Sequence, residues 1–267
     1  MTGALPVPIW RRWWVQVLAV VVAARVVTTG ILLFFAANQR ENAWTGAAPS
    51  YPEFATIWDG HWYRIIAGWG YPTELPITDG GHVGENAWAF MPVFPMAVRA
   101  LMAVTGLDFA IVAVAVSVIC STVAALLFFR LMVQFLPHGS ALFAVALFLT
   151  NPVAPILQLG YAEAMHAMLL TRALLLLTRR SYWAMAPVVV IMALTRPSGL
   201  AFALAMGLHV VHRWWTRKAD PFPRGEAIAS VAVTGIAGIA GFAWLLIAAA
   251  VTGSLTAYTD TELAWRS

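Results

Sequence analysis

From Asp108 to Thr252 the chain is a succession of apolar segments broken by short polar stretches, and one more apolar run, Val15 to Ala37, stands before them. A helix of about 20 apolar residues crosses a hydrocarbon core of roughly 30 Å while satisfying its own backbone polar groups. These runs predict an all-α polytopic membrane protein. Composition agrees, since 61% of the 267 residues are hydrophobic and 10% are charged, against roughly 25% charged in a soluble domain. The net charge of +4 is then a matter of topology, because basic residues of membrane proteins mostly mark cytoplasmic loops. No nucleic-acid partner is expected; membrane lipids are. Cys120 is the only cysteine and lies in an apolar run, which leaves no intramolecular disulfide and no thiolate metal site. Arg11 and Arg12 precede an apolar run longer than a signal-peptide core of about 7–15 residues, so this run is expected to be an uncleaved first span.

Seven spans are expected: Val15 to Ala37, Phe109 to Phe129, Ala141 to Leu159, Tyr161 to Thr178, Tyr182 to Thr195, Gly199 to His212 and Ala227 to Thr252. Asn38 to Trp88 is read as a polar loop rich in Gly, Pro and Trp, the larger part of an outside loop covering 38–107. Phe90 to Val104 carries Pro92, Pro95 and Arg99 and is too short to span, so it is expected to lie as an amphipathic helix in the interface. Charge supports this topology. With the N-terminus inside, Arg11, Arg12, Arg130, Arg179, Arg180, Arg213, Arg217, Lys218 and Arg224 fall in cytoplasmic segments, and most carboxylates fall outside. Trp58–Asp59, Tyr161–Glu163, Arg196 and the tail 253–267 then share the non-cytoplasmic face.

One crowded passage stands out, FATIWDGHWYRIIAGWGYP from Phe54 to Pro72. Asp59 alone is equally a solvated loop carboxylate or a general base at the membrane surface. As a base it could take a proton from a sugar hydroxyl attacking an activated anomeric carbon. Trp58, His61, Trp62, Tyr63 and Trp69 surround it, and aromatic faces stack on sugar rings, although Trp and Tyr also belong to any interfacial belt. The belt reading fits Trp10, Trp13, Trp14, Trp214 and Trp215 better than the group around Asp59. A second passage, Asn151 to Leu169, brings Tyr161, Glu163 and His166 to the start of a span, with Glu163 and His166 on one helix face. Ionisable groups at that depth are functional candidates; a dipole-favoured carboxylate at a helix start is the plainer alternative. A metal held by Glu163 and His166 with Asp59 or Glu85 has no fixed ligand spacing behind it, and no metal is expected. The third passage is TRPSG, Thr195 to Gly199, where Arg196 sits between two short spans broken by Pro197 and Gly199. Guanidinium suits a lipid-linked phosphate, and an interfacial anchor is the alternative. Arg25 and Arg172 lie within spans and need partners there. GIAGIAG, Gly235 to Gly241, has no strand before it and is read as helix-packing surface. RWWTRKADPFPR, Arg213 to Arg224, is read as a basic loop on anionic headgroups.

WDGHWYRIIAGWGYP, FMPVFPMAVRAL, the NP…GYAEA segment, RPSG and TGSLTAY occur in an order that resembles the PIG-V-like mannosyltransferases, a family of GT-C membrane glycosyltransferases. The resemblance covers most of the chain and is most specific in its first motif. It implies a GT-C-like fold and transfer of mannose from a polyprenyl-phosphate-linked donor to a lipid-linked or glycan acceptor outside the cytoplasm. It also implies that Asp59 is the acidic residue of the family's WD motif, and that Glu163 and Arg196 match its second and third motifs. Ala162, Pro197 and Ser198 depart from the family's commoner YSE and RSNG forms. Members usually continue with further spans, so this chain, ending just beyond its seventh, is expected to be a short or truncated bacterial member of the plasma membrane with an incomplete tail.

The expected reaction is a single inverting displacement with Asp59 as catalytic base. Trp58, His61, Tyr63, Tyr161, Glu163 and Arg196 are the expected substrate-binding residues. No cofactor is demanded, because phosphate already leaves well. A non-catalytic membrane partner of such an enzyme and a lipid-linked sugar transporter are the alternatives, although no internal repeat of the kind a transporter carries is evident.

Overall fold

A computed structural model describes residues 9–265. Among the described residues the protein is all-helical, with no strand beyond one isolated bridge between Ile77 and Val83. The helices are α1 (Trp13–Asn38), α2 (Tyr51–Phe54), α3 (Asp59–Trp69), α4 (Val93–Thr105), α5 (Phe109–Met132), α6 (His138–Thr150), α7 (Glu163–Thr178), α8 (Tyr182–Ala193), α9 (Gly199–Thr216), α10 (Arg224–Thr252) and α11 (Ala257–Ala264). Three of them, α1, α5 and α10, are long and apolar enough to cross a membrane.

The expected span Ala141 to Leu159 is not one helix. The α6 helix stops at Thr150, and Ala154–Gln158 is a 3₁₀ turn. Pro152 and Pro155 remove backbone donors there. Asn151 satisfies the freed groups, accepting from the Val153 N–H at 3.0 Å and donating to the Phe148 carbonyl at 2.9 Å. The α6, α7 and α8 helices have 13, 16 and 12 residues, shorter than the length a hydrocarbon core asks of a single helix.

The α5 helix is the central post. Asp108 caps it, accepting from the Ala110 N–H at 2.8 Å, and Arg130 lies in its last turn, where the helix dipole favours a cation. It packs along α7 and also meets α1, α4 and α6. Val17, Val21, Ala125, Phe129, Val145 and Leu149 fill the α1–α5–α6 interior. A second core, with Leu176, Met185, Val189, Met206 and Val233, joins α7 to α10.

The stretch read as a polar loop, Asn38 to Trp88, contains α2 and α3. Gly60, Tyr63, Ile66 and Ala67 recur at helical spacing and bury one side of α3. That side meets α4, where Phe94 and Val98 are fully buried and Arg99 is exposed. The amphipathic helix expected over Phe90 to Val104 is thus present as α4, ended by Gly106 in the left-handed conformation at φ +70°.

GIAGIAG packs as small-residue surface through Ala237 and Ala240, which are buried, and through Gly241, the glycine of the run that is in contact. A Cβ on Gly241 would lie 2.7 Å from the Leu200 backbone nitrogen, and one on Gly199 would lie 2.6 Å from the Gly241 Cα. Gly235 and Gly238 face open space. In the basic loop one cation is drawn into the fold. Arg213 is buried and donates to Glu226 through Nε at 2.9 Å, to Asp220 through Nη1 at 2.6 Å and to the Pro221 carbonyl at 2.9 Å. Arg180 also pairs with Asp220, and Tyr182 donates to Glu226 at 3.1 Å. Two carboxylates hold Arg213 within the fold, while Trp214, Trp215, Arg217 and Lys218 remain exposed.

Gly241→Ala is expected to cost about 1–3 kcal/mol of stability, because backbone on the facing helix cannot move aside as a flexible side chain does. Gly238→Ala is expected to be neutral or mildly stabilising, by up to about 1 kcal/mol. Unfolding of the two variants in detergent compares them, and equal losses would contradict the crossing.

Candidate functional site

The site begins with a strained turn. Trp58, the residue before α3, has φ +51° and ψ −116°, a backbone conformation that non-glycine residues avoid. The surroundings hold it there. Tyr161 donates its hydroxyl to the Ile57 carbonyl at 2.8 Å, and the Gly160 N–H donates to the Ala55 carbonyl at 2.8 Å. Ser117 of α5 donates to the Tyr161 carbonyl at 3.2 Å. Close packing leaves no room for a side chain at Gly160 and little at Gly60. A Cβ on Gly160 would sit 2.7 Å from Thr56 Cγ2, and one on Gly60 would sit 3.3 Å from the Tyr161 ring. The turn therefore delivers Asp59 as the first residue of α3, anchored to α5 and to the segment entering α7.

Arg196 arrives from the other side, in the break between α8 and α9. The break is tied to α4, because the Val93 N–H donates to the Leu194 carbonyl at 3.2 Å. Arg196 Nη1 donates to Glu163 Oε1 at 2.6 Å, which joins the break to the first residue of α7. The other oxygen of Glu163 and Nδ1 of His166 are buried without a hydrogen-bond partner.

Asp59 and Arg196 line one cavity of ≈ 240 Å³ together with Tyr63, Phe90, Glu262 and Trp265. Its cover is α11, which sequence reasoning left as an incomplete tail. Asn86 donates to Thr261 at 2.8 Å, and Ala257 is buried against Trp88 and Trp244. Trp244 donates to the Trp88 carbonyl at 3.0 Å, and Trp88 donates to the Pro72 carbonyl at 3.0 Å. Trp265 meets Trp62 and Phe90 edge-on at 5.5 and 5.7 Å. The signals for this cover were Gly253, which ends α10 in the left-handed conformation, and the polar helix-forming run after it.

Not every expected site residue joins the cavity. Tyr63 does, as a fully buried wall whose phenol is pushed up by burial and then by the Glu163 charge. Glu163 reaches it through Arg196. Tyr161 is buried behind it and positions the Trp58 turn. Trp58 points the other way, 58% exposed, into an apolar groove shared with Leu32, Phe35 and Leu159. His61 is exposed, packs edge-on against Trp44 at 5.2 Å, and lines a separate polar cavity with Ser50, Glu53 and Arg64. Among the described residues no three His, Cys, Asp or Glu converge as a metal-binding set. No protein-family model, curated protein or solved structure matches the chain.

Burial holds the Asp59 carboxyl above the ordinary aspartate range, and the Arg196 charge draws it partly back. The unfolded chain therefore releases this proton at lower pH than the folded one. The stability associated with Asp59 is full below the ordinary aspartate value and falls as pH rises to the residue's own value. Asp59→Asn is expected to remove this slope. Arg196→Gln is expected to extend it to higher pH, since the attraction that lowers the pKa is gone. Thermal unfolding across pH measures both, and a wild-type profile matching that of Asp59→Asn contradicts the assignment.

Proposed function

We propose that this membrane protein is a polyprenyl-phosphate-dependent glycosyltransferase, moving mannose to a lipid-linked or glycan acceptor on the non-cytoplasmic face. The observation that carries the reading is the shared cavity of Asp59 and Arg196, a half-buried carboxylate and a guanidinium brought together from the start of α3 and the break between α8 and α9. The reading uses the seven-span, GT-C-like arrangement, with the shorter helices crossing as broken pairs, and a bacterial plasma membrane as its setting. Its orientation is supported by contacts at the basic end. Gln16 of α1 meets His138 of α6 at 2.7 Å, Arg130 of α5 lies over Trp13, and Arg180 and Arg213 close the turns after α7 and α9. Those residues carry the positive charge expected of the cytoplasmic side.

In the proposed reaction the acceptor hydroxyl oxygen attacks the anomeric carbon from the face opposite the phosphate. The new carbon–oxygen bond forms as the bond from carbon to phosphate oxygen breaks, so configuration inverts. Asp59 takes the hydroxyl proton, and the electron pair of the broken bond leaves with the lipid phosphate. Arg196 stabilises the phosphate charge, helped by the positive N-terminal end of α9. Glu163 holds Arg196 in position while the phosphate is absent. Tyr63, Phe90 and Trp265 exclude water, which would otherwise compete as the nucleophile.

Asp59→Asn keeps the shape of the site and removes the base. It is expected to lower transfer from radiolabelled polyprenyl-phosphate-mannose, assayed in membranes, by about 10²–10⁴-fold. Near-normal transfer by that variant would refute the mechanism, and absence of transfer by folded wild type would refute the function.

A further inference from the structure

A second charged site lies on α1, away from the Asp59 cavity. Arg25 is 9% exposed and sits in the middle of an apolar helix. Among the described residues it makes no salt bridge. Its one hydrogen bond is long, from Nη1 to Gln158 Oε1 at 3.4 Å, and Thr28 donates to the same oxygen. Gln158 has nothing else to offer, because its amide nitrogen donates to the Tyr51 hydroxyl at 2.6 Å and to Thr29. Nε and Nη2 of Arg25 are buried with no partner. These two nitrogens form the side-on fork of a guanidinium, the edge that takes two oxygens of a carboxylate or phosphate at once.

A buried cation without a counter-charge is strongly unfavourable, and an ionisable group within a span is a functional candidate. The neighbourhood indicates which anion would answer it. The elements that carry the polar cluster (α1, α2 and the 3₁₀ turn before α7) also wall the apolar groove of Leu32, Phe35, Phe54, Ile57, Trp58 and Leu159, with a volume of ≈ 480 Å³. Leu32 is one turn beyond Thr28, Phe54 closes the short helix opened by Tyr51, and Leu159 follows Gln158. A ligand answering both features is an amphiphile with an oxyanion head and a hydrocarbon chain. We infer that Arg25 anchors the phosphate of a membrane lipid whose chain lies in this groove. Phosphate oxygens take the Nε and Nη2 fork, and Gln158, itself fixed by Thr28, Thr29 and Tyr51, accepts from Nη1 on the other side. The inference is independent of the transfer reaction.

The test uses the purified full chain, delipidated in dodecyl maltoside, a detergent that carries no phosphate. Dioleoyl phosphatidic acid is the probe, with dioleoylglycerol and inorganic phosphate as controls, and thermal unfolding and native mass spectrometry as readouts. Phosphatidic acid is expected to raise the unfolding temperature and remain bound, and neither control is expected to do so at equal concentration. Arg25→Met is expected to weaken phosphatidic acid binding by about 10–100-fold, the range of a lost charge-assisted hydrogen bond. It is also expected to be more stable than wild type when lipid-free, because it removes an unpaired buried charge. Arg25→Lys keeps the charge without the fork and is expected to bind between the two. Lower lipid-free stability of Arg25→Met with undiminished lipid binding overturns the inference and makes Arg25 structural. Stabilisation of wild type by inorganic phosphate as large as by the lipid overturns the lipid source. Equal effects of phosphatidic acid and dioleoylglycerol overturn the anion site whether or not the variants fold.

Discussion

The bond between Arg196 and Glu163 is the interaction on which the Asp59 end of the protein depends. It closes the break between α8 and α9 onto the first turn of α7, and both groups remain partly accessible, 37% and 18% by side chain. In the low dielectric near a membrane a lone guanidinium or carboxylate would be costly, so each makes the other tolerable. The pair is also exchangeable. Arg196 holds one carboxylate oxygen and keeps donors for an incoming anion, and Glu163 keeps a second oxygen without a partner. A fully satisfied network would be rigid but chemically inert. This one is complete enough to fix geometry and open enough to accept a ligand.

Much of this was readable in the residues. Asp59, Glu163 and Arg196 stood out because ionisable groups among apolar segments have few cheap places to go, and the amphipathic character of α4 followed from its shortness and from Pro92, Pro95 and Arg99. Other features were hidden for definite reasons. The α3 helix was masked by glycines and tryptophans that count against a helix locally, and tertiary packing of Tyr63 and Ile66 overrode that preference. Tyr161 looked like a ligand because it lies beside Glu163, yet its hydroxyl is consumed by the Ile57 carbonyl. Adjacent residues of a turn can face opposite compartments, which is why Trp58 and Asp59 part company. The tail was the largest omission. Eight residues too polar for a span carry Glu262 to the cavity, with Trp265 just beyond, and nothing in their hydropathy distinguishes a cover from a solvated end.

The two ends of the bundle handle charge differently. At the basic end Arg213 is surrounded by Asp220, Glu226 and the Pro221 carbonyl, so its donors are spent on the fold. Removing one of these carboxylates would leave the buried Arg213 charge less compensated, which is where the cluster matters for stability. At the other end charge is left unspent on Arg196, Glu163 and Asp59, and between the two Arg25 keeps a free edge within a span. A chain with 10% charged residues thus divides them into those that shape the bundle and those held in reserve.

The contact of Gly199 with Gly241 has a mechanical consequence. It lies at the first residue of α9, three positions after Arg196, while Arg213 lies near the far end of the same 18-residue helix. The same helix is also held at that far end, where Arg213 is bonded to Glu226 of α10, and Phe202 and Met206 are buried between the two attachments. A rod fastened near both tips to one neighbour cannot pivot about either fastening. The two-point attachment therefore keeps the guanidinium beside Asp59 in register with α10.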